Sequence, residues 1–301
     1  MKKILLLINP YSRSGQSAEN ALLLALKEAQ HTIVNTVPLL ENTSFNDLIR
    51  RHRSEADLVL IGGGDGSMNE ALQALVETQL PLLVFPQGTA NNLARTFTIP
   101  RGIPEIVKMV NEAKQIKVDL GSVNGIYFIN VAGLGLSAKI NRSVSSSTKR
   151  FFGVFAFFAS AFTAFFRMNT FHAKITTIEH GKETSVQVKS WQISVCNGKH
   201  YGNGLVIDEN ASLEDHKLHL LSTEVRTGWA GLKLIPSLIS GKYKKDQEIT
   251  LLTHSQIRIS TRKKMKIDVD GDIKTHTPAE FKVHPKVLAL LVPPTYPARG
   301  E

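Results

Sequence analysis

The run that most limits what this chain can fold into is Leu58-Val59-Leu60-Ile61-Gly62-Gly63-Gly64-Asp65-Gly66-Ser67-Met68-Asn69-Glu70. A continuously apolar strand is what a parallel sheet needs, because helices cover both of its faces. Here the strand breaks into glycines and one acid, and a helical pattern follows. Glycine accepts positive φ and lets backbone N–H groups approach a ligand, and the helix N-terminus adds partial positive charge. The turn therefore suits a phosphate chain, beside which Asp65 would be useful chiefly through a bound Mg²⁺. Two other phosphate loops are excluded. No Gly-Lys-Ser/Thr follows the glycines, and the first strand ends at Asn9-Pro10 without Gly-x-Gly-x-x-Gly. A turn that only reverses the chain is the plainer reading.

Around this turn the first 120 residues alternate strand and helix. Strands are expected at 3–9, 32–37, 57–62, 82–85 and 116–119, with helices at 17–30, 46–52, through about 76, near 90–96 and at 104–113. That rhythm predicts an α/β domain with a parallel sheet covered on both faces. Two more polar turns fall at carboxyl ends of its strands, where open sheets of this kind bind ligands. They are Asn9-Pro10-Tyr11-Ser12-Arg13-Ser14-Gly15 and Pro86-Gln87-Gly88-Thr89-Ala90-Asn91-Asn92-Leu93-Ala94-Arg95.

After Gly121 strand follows strand, at 127–132, 171–178, 184–195, 217–222, 257–260, 265–269, 280–284 and 287–291. Most alternate apolar with polar residues, as in an antiparallel sandwich with one wet face. Helical candidates interrupt them at 149–168 and 229–240. The domains are therefore placed at 1–120 and 121–292, with the tail 293–301 available to pack back on the first. The one cysteine, Cys196, excludes an intramolecular disulfide framework, and the short apolar run at 4–8 is no signal-peptide core, so a cytoplasmic setting is expected.

With the three turns in view, the chain resembles the diacylglycerol kinase catalytic-domain family, which includes bacterial lipid kinases and sphingosine kinases. The family pattern is Asn-Pro-x-Ser-x-x-Gly, Gly-Gly-Asp-Gly-Thr-x-Asn-Glu and Pro-x-Gly-Thr-x-Asn-Asp-x-Ala-Arg. Further matches are Val118-Asp119-Leu120-Gly121, Asn197-Gly198 with Tyr201-Gly202-Asn203-Gly204, Ala211-Ser212-Leu213-Glu214-Asp215, and Asp270-Gly271-Asp272. Phosphofructokinases and NAD kinases share the Gly-Gly-Asp-Gly loop, but the Gly-Thr-Ala-Asn turn and the all-β second half set this chain apart from them. The resemblance implies a fold like that of NAD kinase and phosphofructokinase in the first domain, followed by an antiparallel β-sandwich. It implies transfer of the γ-phosphate of ATP, with Mg²⁺, to a hydroxyl of a lipid such as diacylglycerol. Nucleotide contacts would come from Asn9, Thr36, Gly64, Asp65, Gly66, Ser67, Met68, Asn69, Glu70 and Thr89. The general base aligns with Asp272, and Asp65 and Asp119 are the other acids of the active cleft. A second, structural Mg²⁺ or Ca²⁺ would be held by Ser212 and Lys217 through backbone carbonyls and by Asp215 through its side chain.

The residues themselves agree with parts of this and leave others open. Phosphoryl transfer asks for phosphate cradling, charge neutralisation and an oriented hydroxyl whose proton a carboxylate can accept. Asp268, Asp270 and Asp272 share strand parity and would line one face, unless Asp270-Gly271 is a hairpin turn. Ser67 stands for the family's Thr and keeps the hydroxyl. His216 stands where the family has Gly, at a position suited to positive φ. Asp272 stands for Glu, which shortens the arm by one C–C bond, and a misplacement of about 1 Å costs ~10²-fold in rate. A kinase of NAD or sugars, and a nucleotide- or lipid-binding pseudokinase, are the alternative readings.

Thirty-six Lys and Arg against 26 Asp and Glu give a net charge of +10, which calls for an anionic partner. No recognition helix, zinc spacing or aromatic-basic motif points to nucleic acid. Residues 151–166 are uncharged and include eight phenylalanines at helical spacing, too few residues to span a bilayer. They fit a helix packed on the sandwich, or an acyl-chain surface. Basic clusters at Lys242-Tyr243-Lys244-Lys245 and at Arg258, Arg262-Lys263-Lys264 and Lys266 fit peripheral attraction to an anionic membrane. Oligomeric state has no signal in the sequence.

Overall fold

In the computed structural model the described residues are 1–9, 15–35, 44–136, 170–179, 181–201, 205–208, 210–224, 237, 240, 242 and 249–297. They form two compact units, one of residues 1–120 with 285–301 and the other of residues 121–284. Outside the described residues lie Thr36, the turn at 10–14, the helical candidate at 149–168, nearly all of that at 229–240, and most of the basic cluster at 242–245.

The first unit alternates β1 (Lys3–Ile8), α1 (Gly15–Glu28), β2 (Thr32–Asn35), α2 (Phe45–Arg51), β3 (Leu58–Gly63), α3 (Asp65–Thr78), β4 (Leu82–Pro86), α4 (Asn92–Thr96), α5 (Ile103–Glu112) and β5 (Lys114–Val123). β1, β2, β3 and β4 pair in parallel in the order β2-β1-β3-β4. Every residue of β3 and β4, and all of β1 after Lys3, is buried. Successive residues on a strand point to opposite faces, so burial of both parities means that both faces are covered.

The second unit contains β6 (Ile126–Phe128), β7 (Val131–Gly135), β8 (Phe171–Glu179), β9 (Lys182–Ser190), β10 (Gln192–Cys196), β11 (His200–Tyr201), β12 (Leu205–Val206), β13 (Leu218–Thr223), β14 (Ile249–His254), β15 (Gln256–Thr261), β16 (Lys266–Val269) and β17 (Asp272–His276). The last strand, β18 (Ala279–Val292), begins in this unit and ends in the first, where Leu290 pairs in parallel with Leu82 of β4. One sheet runs β14-β13-β10-β7-β16-β17, and β18-β15-β8-β9 forms the other. All pairings in the two are antiparallel. Leu134, Ile193, Val195, Leu220 and Ile267 of the first meet Ile175, Val188, Ile257, Ile259 and Phe281 of the second in one buried cluster. The α/β half followed by an antiparallel β half is the architecture expected from the sequence.

Four strand expectations need correction. The run 127–132 divides into β6 and β7, because Asp270 accepts the N–H groups of the residues between them. The run 184–195 divides at Trp191, where the chain passes from one sheet of the sandwich to the other. There the Ser190 hydroxyl donates to the carbonyl of Thr223 at 2.9 Å, fixing the corner. The runs 280–284 and 287–291 are one strand, β18, whose irregularity is confined to Lys286 at φ 53°. β11, β12 and β17 were not expected, and neither was β14. Its outward positions include Leu251, 45% exposed, which blurs the alternation that would mark a strand.

Candidate functional site

The strand ends from which the three polar turns of the first unit leave do come together. β1, β3 and β4 are neighbours in parallel register, so their carboxyl ends lie side by side. Asn9 donates its side-chain N–H to the Ser67 hydroxyl at 3.0 Å, joining the first turn to the second. A Cβ on Gly88 would lie 2.5 Å from the Gly64 Cα, so the second and third turns touch backbone to backbone and only glycine allows it. Gly66 is different. No described residue comes within 4 Å of where its Cβ would be, and its φ is not positive. A glycine that neither packing nor conformation requires, at the start of α3, leaves backbone N–H groups open to a ligand.

Asp65 opens α3 and is turned toward the third turn. Its two carboxylate oxygens accept the N–H groups of Asn92 at 3.1 Å and Leu93 at 3.2 Å. It thereby caps α4, whose own N-cap, Asn91, is left-handed and makes no side-chain cap bond. Burial pushes the Asp65 carboxyl above the usual carboxylate range, against the pull of these amides. Asn92 is itself buried, and its side-chain carbonyl oxygen has no hydrogen-bond partner among the described residues. A half-buried carboxylate next to an orphaned carbonyl oxygen is a donor set that suits Mg²⁺. Of the other expected nucleotide contacts, Met68 and Asn69 are buried in α3, while Thr89 is exposed. Glu70 accepts the Phe45 N–H at 3.1 Å and so caps α2. Asp119 is fully buried and accepts the Lys286 N–H at 2.8 Å, holding the left-handed residue of β18.

In the second unit the acids at 268–272 do not line one strand face. Asp270 and Gly271 have φ of 48° and 103° and form the two-residue turn between β16 and β17, with Val269 paired to Asp272. The Asp270 carboxylate turns back and accepts three N–H groups, from Ile129 and Val131 at 2.8 Å and from Asn130 at 3.1 Å. Asp268 is buried and accepts the Gly271 N–H at 3.1 Å. That leaves Asp272 as the one exposed acid of the three, at the first position of β17. Cys196 is no nucleophile: full burial and the Asp270 charge push its thiol well up.

The loop expected to hold a structural metal is braced in another way. Asp215 accepts the Ser212 N–H on one oxygen and the Lys217 N–H on the other, both at 2.9 Å. His216 has φ 60°, the conformation for which glycine is the natural choice, so the loop keeps its shape despite the substitution. The oxygen facing Ser212 also meets His219 Nε2 at 2.9 Å, and His219 Nδ1 lies 3.2 Å from Asp208. His219 thereby bridges the side chains of Asp208 and Asp215. No group of three or more His, Cys, Asp or Glu able to hold a metal occurs among the described residues. Nothing in the sequence spacing of 208, 215 and 219 suggested this arrangement, since the hairpin turn and β13 bring the three together.

Residues 3–123 match the family described as the diacylglycerol kinase catalytic domain, and residues 130–292 match the YegS C-terminal NAD kinase beta sandwich-like domain. Diacylglycerol kinase of Staphylococcus carnosus is 27% identical over 235 residues, covering 77% of this chain and 75% of the relative. That of Bacillus subtilis is 26% identical over 231 residues, 75% of each chain. A crystal structure of a diacylglycerol kinase from Bacillus anthracis superposes with a TM-score of 0.73 at 22% identity, over 98% of both chains, which speaks to the fold. The two matches together span nearly the whole chain, and it belongs to the diacylglycerol kinase catalytic-domain family, the YegS-like two-domain lipid kinases.

Proposed function

We propose that this protein is an ATP-dependent lipid kinase that phosphorylates a hydroxyl of a diacylglycerol-like lipid at the surface of an anionic membrane. The observation that carries the reading is Asp272, an exposed carboxylate fixed beside a turn that Asp270 anchors to three backbone amides. In this scheme Asp272 accepts the proton of the lipid hydroxyl as its oxygen attacks the γ-phosphorus, and the bond to the bridging oxygen breaks to release ADP. The amides at the start of α3 cradle the phosphates, with Gly66 keeping the approach clear. Asp65 and Asn92 are the residues that would hold Mg²⁺, which neutralises phosphate charge when bound. The net charge of +10 favours a bilayer rich in anionic lipid.

The test is transfer of label from γ-labelled ATP by the full chain, with Mg²⁺, offered a lipid extract, NAD and sugars in parallel. Label in a lipid is the expected result. Label in NAD alone, or in no acceptor, overturns the proposal.

A further inference from the structure

The second unit carries an open cleft of about 490 Å³, floored by Phe171, Trp191 and Met265 and rimmed by His172, Arg262, Lys263 and Lys264. Its basic residues come from the turn joining β15 to β16, and that turn is held in shape. Thr261 donates to the Lys263 carbonyl at 2.7 Å, and Met265 donates its N–H to the Thr277 hydroxyl at 2.9 Å. The cations are therefore presented by a fixed backbone.

Charge is unevenly distributed along the sheet that bears this turn. At one end Arg258 pairs with Glu183 and Glu280, and Lys282 pairs with Glu280. At the other, Lys174, Lys189, Arg262, Lys263 and Lys264 are exposed and have no ion pair among the described residues. His172 pairs across the strands with Lys189, and Ser260 with Lys174, so strand register sets two further cations on the strands beside the cleft. No acid is among the described residues that line the cleft. Its flanking residues Gly135 and Thr170 bound a stretch that is basic too, since the sequence has no Asp or Glu between Asp119 and Glu179. The basic character of that sequence adds to the attraction for an anion.

An apolar aromatic floor beneath a rim of unpaired cations matches a molecule with a phosphate at one end and hydrocarbon at the other. We infer that this cleft seats an anionic phospholipid of the bilayer and docks the sandwich on the membrane. The inference rests on the lipid-kinase reading for its purpose, though not for its geometry. The rim phosphate contacts supply the attraction, and Phe171 and Met265 contact the start of the acyl chain.

The experiment uses the full chain with vesicles of 30% phosphatidylglycerol in phosphatidylcholine. Each basic residue lost near such a surface lowers partitioning about 5-fold, so K263Q/K264Q is expected to bind about 30-fold more weakly, with binding to pure phosphatidylcholine unchanged. In a W229F background Trp191 is the only indole, and brominated phosphatidylglycerol is expected to quench it. Unchanged partitioning of K263Q/K264Q, or quenching absent from bound protein, overturns the inference. So does competition by inorganic phosphate or by duplex DNA at the same concentration as lipid phosphate, which reassigns the cleft to a small anion or to nucleic acid. Diacylglycerol in neutral detergent micelles separates the two proposals. K263Q/K264Q is expected to retain micellar transfer. Vesicle docking without any lipid labelling by the wild type defeats the kinase reading and leaves the docking site standing.

Discussion

Asp65 in the first unit and Asp270 in the second occupy matching situations and do the same work. Each is followed by glycine, Asp65 at the start of a helix and Asp270 in a hairpin turn, and each points its carboxylate at backbone amides distant in sequence. Asp65 takes two and Asp270 takes three. The difference lies beside them. Next to Asp65 is Gly66, an opening without a side chain; next to the Asp270 turn is Asp272, an exposed carboxylate. The comparison teaches that the acid most deeply engaged in a motif is the one holding the backbone, while the reacting contacts fall to its less engaged neighbour.

The largest expected effect tests that division directly. Asp272→Asn should lower kcat for lipid phosphorylation by about 10²–10⁴-fold, the range for loss of a general base, and leave the thermal midpoint within about 1 °C. Asp272→Glu should retain transfer, because the longer arm still carries a carboxylate. Turnover of Asp272→Asn equal to the wild type would break the comparison at its centre.

The anchoring acids should show the reverse, with stability lost first. Asp270→Ala leaves three amides of residues 129–131 without their acceptor, where Ile129 and Asn130 are buried. The cost should be about 3 kcal/mol by denaturant unfolding. Asp65→Ala uncaps two amides but also removes a carboxylate whose burial is unfavourable, as its raised pKa indicates. Its net cost should be nearer 1 kcal/mol. Equal losses in the two variants would mean that burial of Asp65 is not a liability.

Two glycines of the same site sharpen the distinction between packing and approach. Gly88→Ala forces a Cβ against the Gly64 Cα and should destabilise by about 2 kcal/mol. Gly66→Ala meets nothing described and replaces a poor helix former inside α3, so it should stabilise by about 0.5 kcal/mol. It should nevertheless weaken ATP binding, measured by calorimetry, if the amides there face the phosphates. Unchanged affinity in Gly66→Ala would remove that glycine from the nucleotide site.

Much of this was readable in the residues. The buried strand, the glycines and the two companion turns predicted the parallel sheet and the meeting of its carboxyl ends, because strand and helix periodicity and turn chemistry are local properties. What stayed hidden depends on contacts between residues far apart in the chain. Nothing near residues 127–132 announces that Asp270 will interrupt that run, and nothing near Ser212 shows that His219 will meet Asp215. The hairpin at 270–271 was a live alternative to a strand face, since Asp-Gly serves either; only pairing of Val269 with Asp272 decides it. His216 had cast doubt on its loop, yet a non-glycine residue holds the left-handed conformation there because Asp215 ties both sides of it.

The smallest effect compares two histidines, one in each unit. His31 is lowered by burial and by the N-terminal charge, and His284 by burial and Lys282. His284 Nε2 lies 2.8 Å from the Ser122 hydroxyl, and its ring stands edge-on to Tyr127. Both folded values lie below the ordinary 6.5, so between the lowered value and 6.5 the unfolded chain binds more protons than the folded one. Stability must therefore fall as pH drops through that window and be complete above it. Replacing His284 with Gln should flatten the fall in the thermal midpoint between pH 7 and 5 by on the order of 1 °C. His31→Gln should do the same independently, because the two rings share no contact. A steeper fall in either variant would reverse the sign of the linkage and show that the ring is protonated more readily in the fold than outside it.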